Sequence, residues 1–254
     1  MIVKKTIGVA CCLVAWEAIA RSGWVPREYF PAVTDVLRAG VEMVRTGELV
    51  QAEGQTLLRA FLGLSITTLV GLGLAMAAAQ APLLRRMLAP FVEVMRSIPP
   101  AALVPLAIFV LGLMPMLFVG IIVFAAFSTV YLTAVNALVN TEPVQVHAAR
   151  MLGYSTLETL LKVRLPAAMP EIFSGLRVAA GAALIASVAS QMLAGKDGLG
   201  YMLYDTAFSL RTQEMFAVLF VAALNGILFN WFILRVRQPL AAWQDSLNRL
   251  GEAR

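Results

Sequence analysis

The apolar residues of this chain fall into long uninterrupted blocks rather than into an alternation of apolar and polar positions. A bilayer core of about 30 Å takes roughly 20 apolar residues per helix, and blocks of about that length lie at 5–21, 57–79, 92–112, 116–138, 171–194 and 215–235. The pattern predicts an all-α, polytopic transmembrane bundle of six spans, one membrane domain over residues 1–254. Pro99, Pro100 and Pro105 interrupt the third block, and each lacks the N–H of a helix ladder. A broken helix at membrane depth is tolerated only against protein or a water-filled cavity. The third span is therefore expected to line a path, with a kinked packing helix as the other reading. Gly71, Ala75 and Ala79 make a small-residue stripe in the second span that permits close helix contact. Between the first two spans, Val36, Leu37, Val41, Val44 and Leu49 recur at roughly helical spacing after Pro26 and Pro31. This predicts a helix at the outer interface within 22–56.

With 60% of its 254 residues hydrophobic and 14% charged, the chain cannot cover itself with a polar surface, which excludes a soluble fold. Its formal charge of +5 reads as topology rather than as nucleic-acid binding, because the basic residues flank the apolar blocks. Placing the N-terminus in the cytoplasm puts Lys4, Lys5, Arg85, Arg86, Arg150, Lys162, Arg164, Arg235, Arg237, Arg249 and Arg254 on that side. Arg21, Arg27, Arg38, Arg45, Arg59, Lys196 and Arg211 fall on the other. Both termini inside is the expected orientation. The first block follows Lys4 and Lys5 but leads into Arg21-Ser22-Gly23-Trp24, without the small-residue cleavage site of a signal peptide, so it is expected to stay as a span. Cys11 and Cys12 are adjacent within it, which suits neither a disulfide framework nor a zinc site. With His147 the single histidine, no metal site is expected.

Polar residues inside the spans are few: Glu17, Asn136, Ser187, Ser190, Gln191, Asn225 and Asn230. Such residues usually face the interior of a bundle. Ser187 and Gln191 share a helix face at i,i+4 and are the best candidates for ligand contact, with hydrogen bonding between helices as the other reading. Together with Arg96, Ser97, Pro99 and Pro100 they form the candidate translocation path.

The segment 139–170 is more than a loop. Thr141-Glu142-Pro143 is a plausible helix onset, and Gly153 a natural stop. Ser155 with Glu158 three residues on can close a capping box. Glu158 and Lys162 stand in the favourable i,i+4 order, and Pro166 is expected to end the unit. Ala148-Ala149, three residues, Gly153, nine residues, then Val163-Arg164-Leu165-Pro166 resembles the cytoplasmic signature of permease subunits of binding-protein-dependent ABC importers. Every spacing matches; His147 stands where that family carries glutamate, and Val163 replaces isoleucine. Met95-Arg96-Ser97-Ile98-Pro99-Pro100, Glu171 to Arg177, Gly198-Leu199-Gly200-Tyr201 and Trp24-Val25-Pro26 are similar to the branch serving sulfonates, taurine and nitrate.

The resemblance implies the type I importer permease fold, in the bacterial inner membrane. His147, Ala148, Ala149, Arg150, Gly153, Leu165 and Pro166 would couple to a cytoplasmic ATP-binding subunit dimer. The other implied partners are a second permease copy, a periplasmic or lipid-anchored solute-binding protein and membrane lipids, with no nucleic acid. The expected solute is a small organic or inorganic anion, for which Arg96 and Arg177 could supply positive potential unless they act as inner-face anchors. The chain has no Gly-x-x-x-x-Gly-Lys-Ser/Thr loop, so ATP and Mg are expected on the partner, with no cofactor and no enzymatic activity here. A stand-alone secondary transporter is the rival reading. It would need a midplane carboxylate or repeated helix breaks, and Glu17 lies near a helix end. A membrane enzyme would need clustered nucleophiles, bases or metal ligands, which the sequence lacks.

Overall fold

The computed structural model describes the backbone of residues 2–26 and 28–252, and the side chains of residues 8, 10–26 and 28–237. The side chains of Lys4, Lys5, Arg27, Arg249 and Arg254, which enter the charge balance above, lie outside these. Among the described residues every regular element is helical: α1 (Ile2–Arg21), α2 (Val33–Arg45), α3 (Glu48–Gln80), α4 (Pro82–Ser97), α5 (Val104–Leu111), α6 (Pro115–Val139), α7 (Pro143–Met151), α8 (Thr156–Thr159), α9 (Leu165–Ala194), α10 (Gly198–Phe208) and α11 (Thr212–Glu252).

The centre of the bundle is α3, α6 and α9. Gly63 backs onto Ile122, Gly71 onto Val130 at 3.0 Å from its virtual Cβ, and Gly175 onto Thr133. Missing Cβ atoms therefore set how closely the three helices approach, the means by which membrane helices gain contact without a hydrophobic driving force. The contact stripe on α3 runs Ala60, Gly63, Thr67, Gly71, Ala75 and Ala78. Ala79, expected on it, is only half-buried at its margin. The partners of each glycine fix direction: α6 runs parallel to α3, α9 runs against both, and α4–α5 carries the chain back. One end of the bundle thus holds the α9–α10 junction and the other holds α7.

Among the described residues four helices are long and apolar enough to cross a membrane: Glu48–Gln80, Pro115–Val139, Thr156–Ala194 and Thr212–Arg237. Three expectations change. The second span is part of a 33-residue helix that begins at Glu48, so residues 48–56 project from the membrane as helix rather than belonging to an interfacial segment. The interfacial helix is α2 alone; it buries Val36 and Met43 while Leu37, Val41 and Val44 stay exposed. The third span is a pair of helices, Pro82–Ser97 and Pro100–Leu111, bent by 92°. Residues 82–90, ahead of the third apolar block, are helical as well, because Pro82 at the first turn is compatible with helix. The bend falls at Ile98 and Pro99, whose extended backbone follows from the restriction that each proline imposes on the residue before it.

α1 is 20 residues, about 30 Å at 1.5 Å per residue, and its residues Cys11–Ala15 are exposed. It is fastened near its end. The Trp16 ring stacks between Phe30 and Phe220 at 5.5 Å, and its Nε1–H donates to the Pro31 carbonyl at 3.0 Å. Glu17 accepts from Arg21 (2.6 Å), the Thr34 hydroxyl (2.9 Å) and the Thr34 N–H (3.2 Å). It satisfies an otherwise open donor in the first turn of α2, so this carboxylate is spent on joining α1 to α2.

Gly175→Val drives a side chain into Thr133 and is expected to cost about 1–3 kcal/mol, read as a fall in thermal unfolding temperature in detergent. Gly73→Ala, on a face of α3 with open space around it, is expected to gain about 0.5–1 kcal/mol from helix propensity.

Candidate functional site

Between α6 and α9 the chain leaves the bundle and returns through a tip of two short helices. Pro143 occupies the first position of α7, and the Glu142 carbonyl accepts from the Gln145 and Val146 N–H groups. At the other end Gly153 sits at φ +82°. Its N–H donates to the Arg150 carbonyl at 3.0 Å and the Tyr154 N–H to the Ala149 carbonyl at 3.1 Å, a Schellman closure that requires the left-handed residue. Ser155 and Glu158 then form the expected capping box: the Glu158 N–H donates to Ser155 Oγ (3.2 Å) and the Ser155 N–H to Glu158 Oε2 (3.0 Å). Lys162 Nζ donates to Glu158 Oε1 at 2.9 Å and lies 5.1 Å from the Tyr154 ring centroid. The hydrogen bond from Lys162 first, then those from the Ser155 N–H and hydroxyl, hold the Glu158 carboxyl down at about 2.

The second helix does not stop at Pro166. α8, a π turn over Leu160–Arg164 and α9 run on as one helix, Thr156–Ala194, of 39 residues. The Leu165 N–H reaches back five residues to the Leu160 carbonyl. That widened turn lies immediately before Pro166, where the missing N–H and the ring would otherwise collide with the ladder. At 1.5 Å per residue the helix is nearly twice the length a bilayer core needs. Its first turns, residues 156–170, therefore stand outside the membrane.

Of the signature residues, Ala149 is buried with Val146 and seats α7 against the π turn, while His147, Ala148 and Arg150 are exposed. Leu165 and Pro166 are half-buried in the continuous helix. Sequence reasoning missed what lies beside them. Val144, Ala148, Met151 and Leu152 line one face of α7 at i, i+4, i+7 and i+8, all exposed, Met151 at 90%. The helical period of these apolar residues was the signal. A bare apolar stripe on a tip outside the membrane is the mark of a docking surface.

The path candidates separate into two places. Arg96, Ser97 and Pro99 are exposed at the 92° bend, and Pro100 is half-buried there. Arg96 pairs with Glu93 at 3.1 Å, and the Ser97 hydroxyl donates to the Glu93 carbonyl at 2.9 Å, closing the end of α4. Ser187 and Gln191 lie at the α10 end, both 0% exposed. Gln191 Oε1 accepts from the Thr56 hydroxyl (2.9 Å) and the Gly200 N–H (3.1 Å). Gln191 Nε2 donates to Ser187 Oγ at 3.1 Å, and the Leu199 N–H donates to Thr56 Oγ1 at 2.8 Å. The geometry is that of a closed joint between α3, α9 and α10. It explains Gly198-Leu199-Gly200: a Cβ at Gly198 would strike Gln191 Oε1, one at Gly200 the Val188 carbonyl, and Gly198 is at φ +88°.

Beside this joint is a pair the sequence did not disclose. Arg59, 7% exposed, donates to Asp197 at 2.7 Å and lies 4.3 Å over the Phe118 ring. The two residues are 138 positions apart, and neither sits in a motif. On α9 the exposed face carries Glu171, Ser174 and Arg177 toward the α7 end, then Val178, Gly181 and Ile185. It is the opposite face from Ser187 and Gln191. Asn225, 1% exposed, donates to Glu53 at 2.9 Å, and Asn136 is exposed at the end of α6. Among the described residues no cluster of metal-ligating side chains is present.

The family described as "Binding-protein-dependent transport system inner membrane component" matches residues 69–242. The chain is 27% identical to the putative aliphatic sulfonates transport permease protein SsuC of Bacillus subtilis, over 93% of this chain and 86% of that one. It is 28% identical to the taurine transport system permease protein TauC of Escherichia coli, over 96% and 91%. With the nitrate import permease protein NrtB of Leptolyngbya laminosa it shares 29% identity over 69% and 63%. In fold it is similar to a chain of the MetNI methionine ABC transporter in an inward-facing conformation, with TM-score 0.61 and 19% identity over 77% of this chain and 95% of that one.

Gln191→Met keeps the volume of the joint but strands the Gly200 N–H. It is expected to lower stability by about 1–3 kcal/mol, read by thermal unfolding. The folded-state pKa of Glu158 is depressed, so the capping box is intact above the ordinary glutamate range of about 4.3 and is lost as pH falls toward about 2. Infrared difference titration of the wild type against Glu158→Gln is expected to place this carboxyl's midpoint near 2; an ordinary midpoint would refute the assignment.

Proposed function

The chain belongs to the binding-protein-dependent transport system inner membrane components, and from that membership we propose how this permease subunit works: a pair of identical chains, driven through α7, conducts a small anion. A multi-pass membrane subunit of an ATP-driven importer hydrolyses no ATP itself; the family carries that activity on a separate subunit and receives solute from a binding protein. The proposed setting is the bacterial inner membrane, with both termini in the cytoplasm and α7 on the cytoplasmic side. ATP and Mg then belong to the partner.

The observation that carries the reading is the exposed stripe Val144, Ala148, Met151 and Leu152 on a helix held rigidly by the Gly153 closure and the Ser155–Glu158 box. The stripe docks on the ATP-binding subunit, with His147 and Arg150 at its flanks. Because α8 and α9 are one helix, displacement of the tip reaches α9 directly. α9 packs on α3, α6, α10 and α11. ATP-driven closure of two such subunits would thereby bias the bundle between two arrangements. The π turn before Pro166 is the soft point of that lever.

A second copy is supported by the bend at Ile98 and Pro99. Irregular backbone at membrane depth needs protein or water as its cover, and in the single chain Ser97, Pro99, Ala101 and Ala102 are uncovered. The polar face of α9, with Glu171, Ser174 and Arg177, supports a water-filled path on that side. The names of the relatives, for aliphatic sulfonates, taurine and nitrate, support an anionic solute.

The test is assembly and stimulation. The wild type is expected to co-purify with an ATP-binding subunit whose hydrolysis rises with the binding protein and solute. Met151→Asp with Leu152→Asp is expected to abolish the association while leaving thermal unfolding unchanged. His147→Ala is expected to reduce uptake less than Gly153→Pro, which destroys the closure of α7. Retained association in the double variant would overturn the docking surface.

A further inference from the structure

We propose that the groove between α3 and α11 is a binding site for a phospholipid of the leaflet on the α7 side, with an acyl chain in the groove and an anionic head group at Arg235. The inference rests on the membrane fold and stands apart from the importer reading. Glu53 accepts from Asn225 at 2.9 Å, and further along Phe61 meets Phe232 edge to face at 6.1 Å. Contacts that advance together on both helices make α3 and α11 parallel, both running toward the α7 end. Between them lie two adjoining cavities of ≈ 460 and ≈ 330 Å³, which share Phe61, Phe229 and Phe232. The first begins at Leu57 and Leu228. The second reaches Leu69 and Val236 and is floored by Phe173 and Leu176 of α9.

The lining suits a hydrocarbon chain. Ser65 and Thr68 are its only polar side chains, and the Thr68 hydroxyl donates to the Leu64 carbonyl at 2.7 Å. The rims, Leu58, Leu69 and Leu228, are exposed and lie within the apolar blocks of the two helices, where the surrounding medium is lipid. From Leu57 to Leu69 the groove is about 18 Å long at 1.5 Å per residue, close to one leaflet of a core of about 30 Å. It also faces away from the proposed path. Leu176 floors it, and Ser174 on the polar face of α9 is two residues earlier, about 200° round the helix.

What distinguishes this groove from any lipid-facing surface is its α7 end. Leu228, Trp231, Phe232 and Arg235 share one face of α11 at i, i+3, i+4 and i+7. The first charged residue after the apolar block is therefore the next position of the groove wall. Its guanidinium lies 4.9 Å over the ring of Trp231, which lines the groove. A tryptophan beside an arginine at a span's end is the pairing found at head-group depth. Arg235 is exposed and forms no ion pair among the described residues, and its planar donors match a phosphate. No acidic side chain lines either cavity, and Glu171 points to the opposite side of α9 from Phe173. Nothing there balances the ammonium of a zwitterionic head, so the site favours an anionic one.

Lipid retention by the full chain in its purified complex tests the site. Reconstituted in equal phosphatidylglycerol and phosphatidylethanolamine and extracted in mild detergent, the wild type is expected to retain phosphatidylglycerol by about fivefold over phosphatidylethanolamine, the scale that one arginine at an anionic surface supplies. Arg235→Gln is expected to retain the two lipids alike, with thermal unfolding in detergent unchanged. Leu58→Trp, which fills the groove from its exposed rim, is expected to lose the retained lipid. Arg86→Gln, exposed and outside the groove, is expected to keep the wild-type preference. A photoreactive side chain in place of Leu58 is expected to capture lipid. A wild type without preference, an Arg235→Gln variant that keeps it, or a Leu58→Trp variant that still holds the lipid overturns the site. Capture of a second copy of this chain at position 58 overturns it in favour of a protein-covered groove. None of these readouts depends on transport, so the importer reading stands or falls separately.

Discussion

Inside a bilayer a backbone N–H or C=O has no water to turn to, and most of what this chain does with its helices follows from that one deprivation. Spans must be helical, and helices that cannot gain from excluding water must gain from touching. Gly63, Gly71 and Gly175 let α3, α6 and α9 touch. Wherever the ladder fails, a substitute donor or acceptor is supplied locally: the widened turn before Pro166, the Ser97 hydroxyl at the end of α4, and Thr56 and Gln191 under the Gly198-Leu199-Gly200 turn. The bend at Ile98 and Pro99 is a failure that the single chain leaves uncovered. It marks the face where something else must complete the structure.

The hydrophobic pattern made the membrane helices legible because length and apolarity are what the bilayer selects. It located α6 and the transmembrane part of α9 closely, and the spacing from Ala148 to Pro166 disclosed the family. It misjudged α3, since Glu48, Gln51, Glu53 and Gln55 look like loop residues although the helix continues through them outside the membrane. It stopped a helix at Pro166 because a proline forbids an α-helical bond but not a π turn. The face of α9 was beyond it. A helix that is apolar nearly all round carries no moment to say which side is buried, so Ser187 and Gln191 read as well for a path as for a joint. Arg59 and Asp197 meet only in three dimensions, and nothing in the local sequence of either announces the other.

The geometry also assigns different work to the two ends of the bundle. At the α10 end, Gln191, Thr56, Arg59 and Asp197 join three elements through buried polar contacts, which are costly to open because each leaves a group unpaired. At the α7 end the corresponding joints are apolar, among them Ala75, Leu138, Leu160 and Ala168. Apolar surfaces can slide with little penalty. A push delivered at α7, as proposed, would meet a compliant end first and a fastened end last, the arrangement of a lever with its fulcrum far from the hand.

α3 and α6 lie side by side and point the same way, and this bears on how the protein is made. Neighbours in sequence would be antiparallel and could pair as they emerge. Here α3 and α6, two of the three central helices, cannot meet until the chain has been carried back across the membrane by α4 and α5. Yet α5 is only eight residues, too short to hold a place in the bilayer by its own apolarity. It is kept there by packing against helices that come later in the chain, α6 and α9. Membrane insertion of this chain is therefore not a sequence of independent stitches: the return segment is secured only when α6 and then α9 arrive to pack against it.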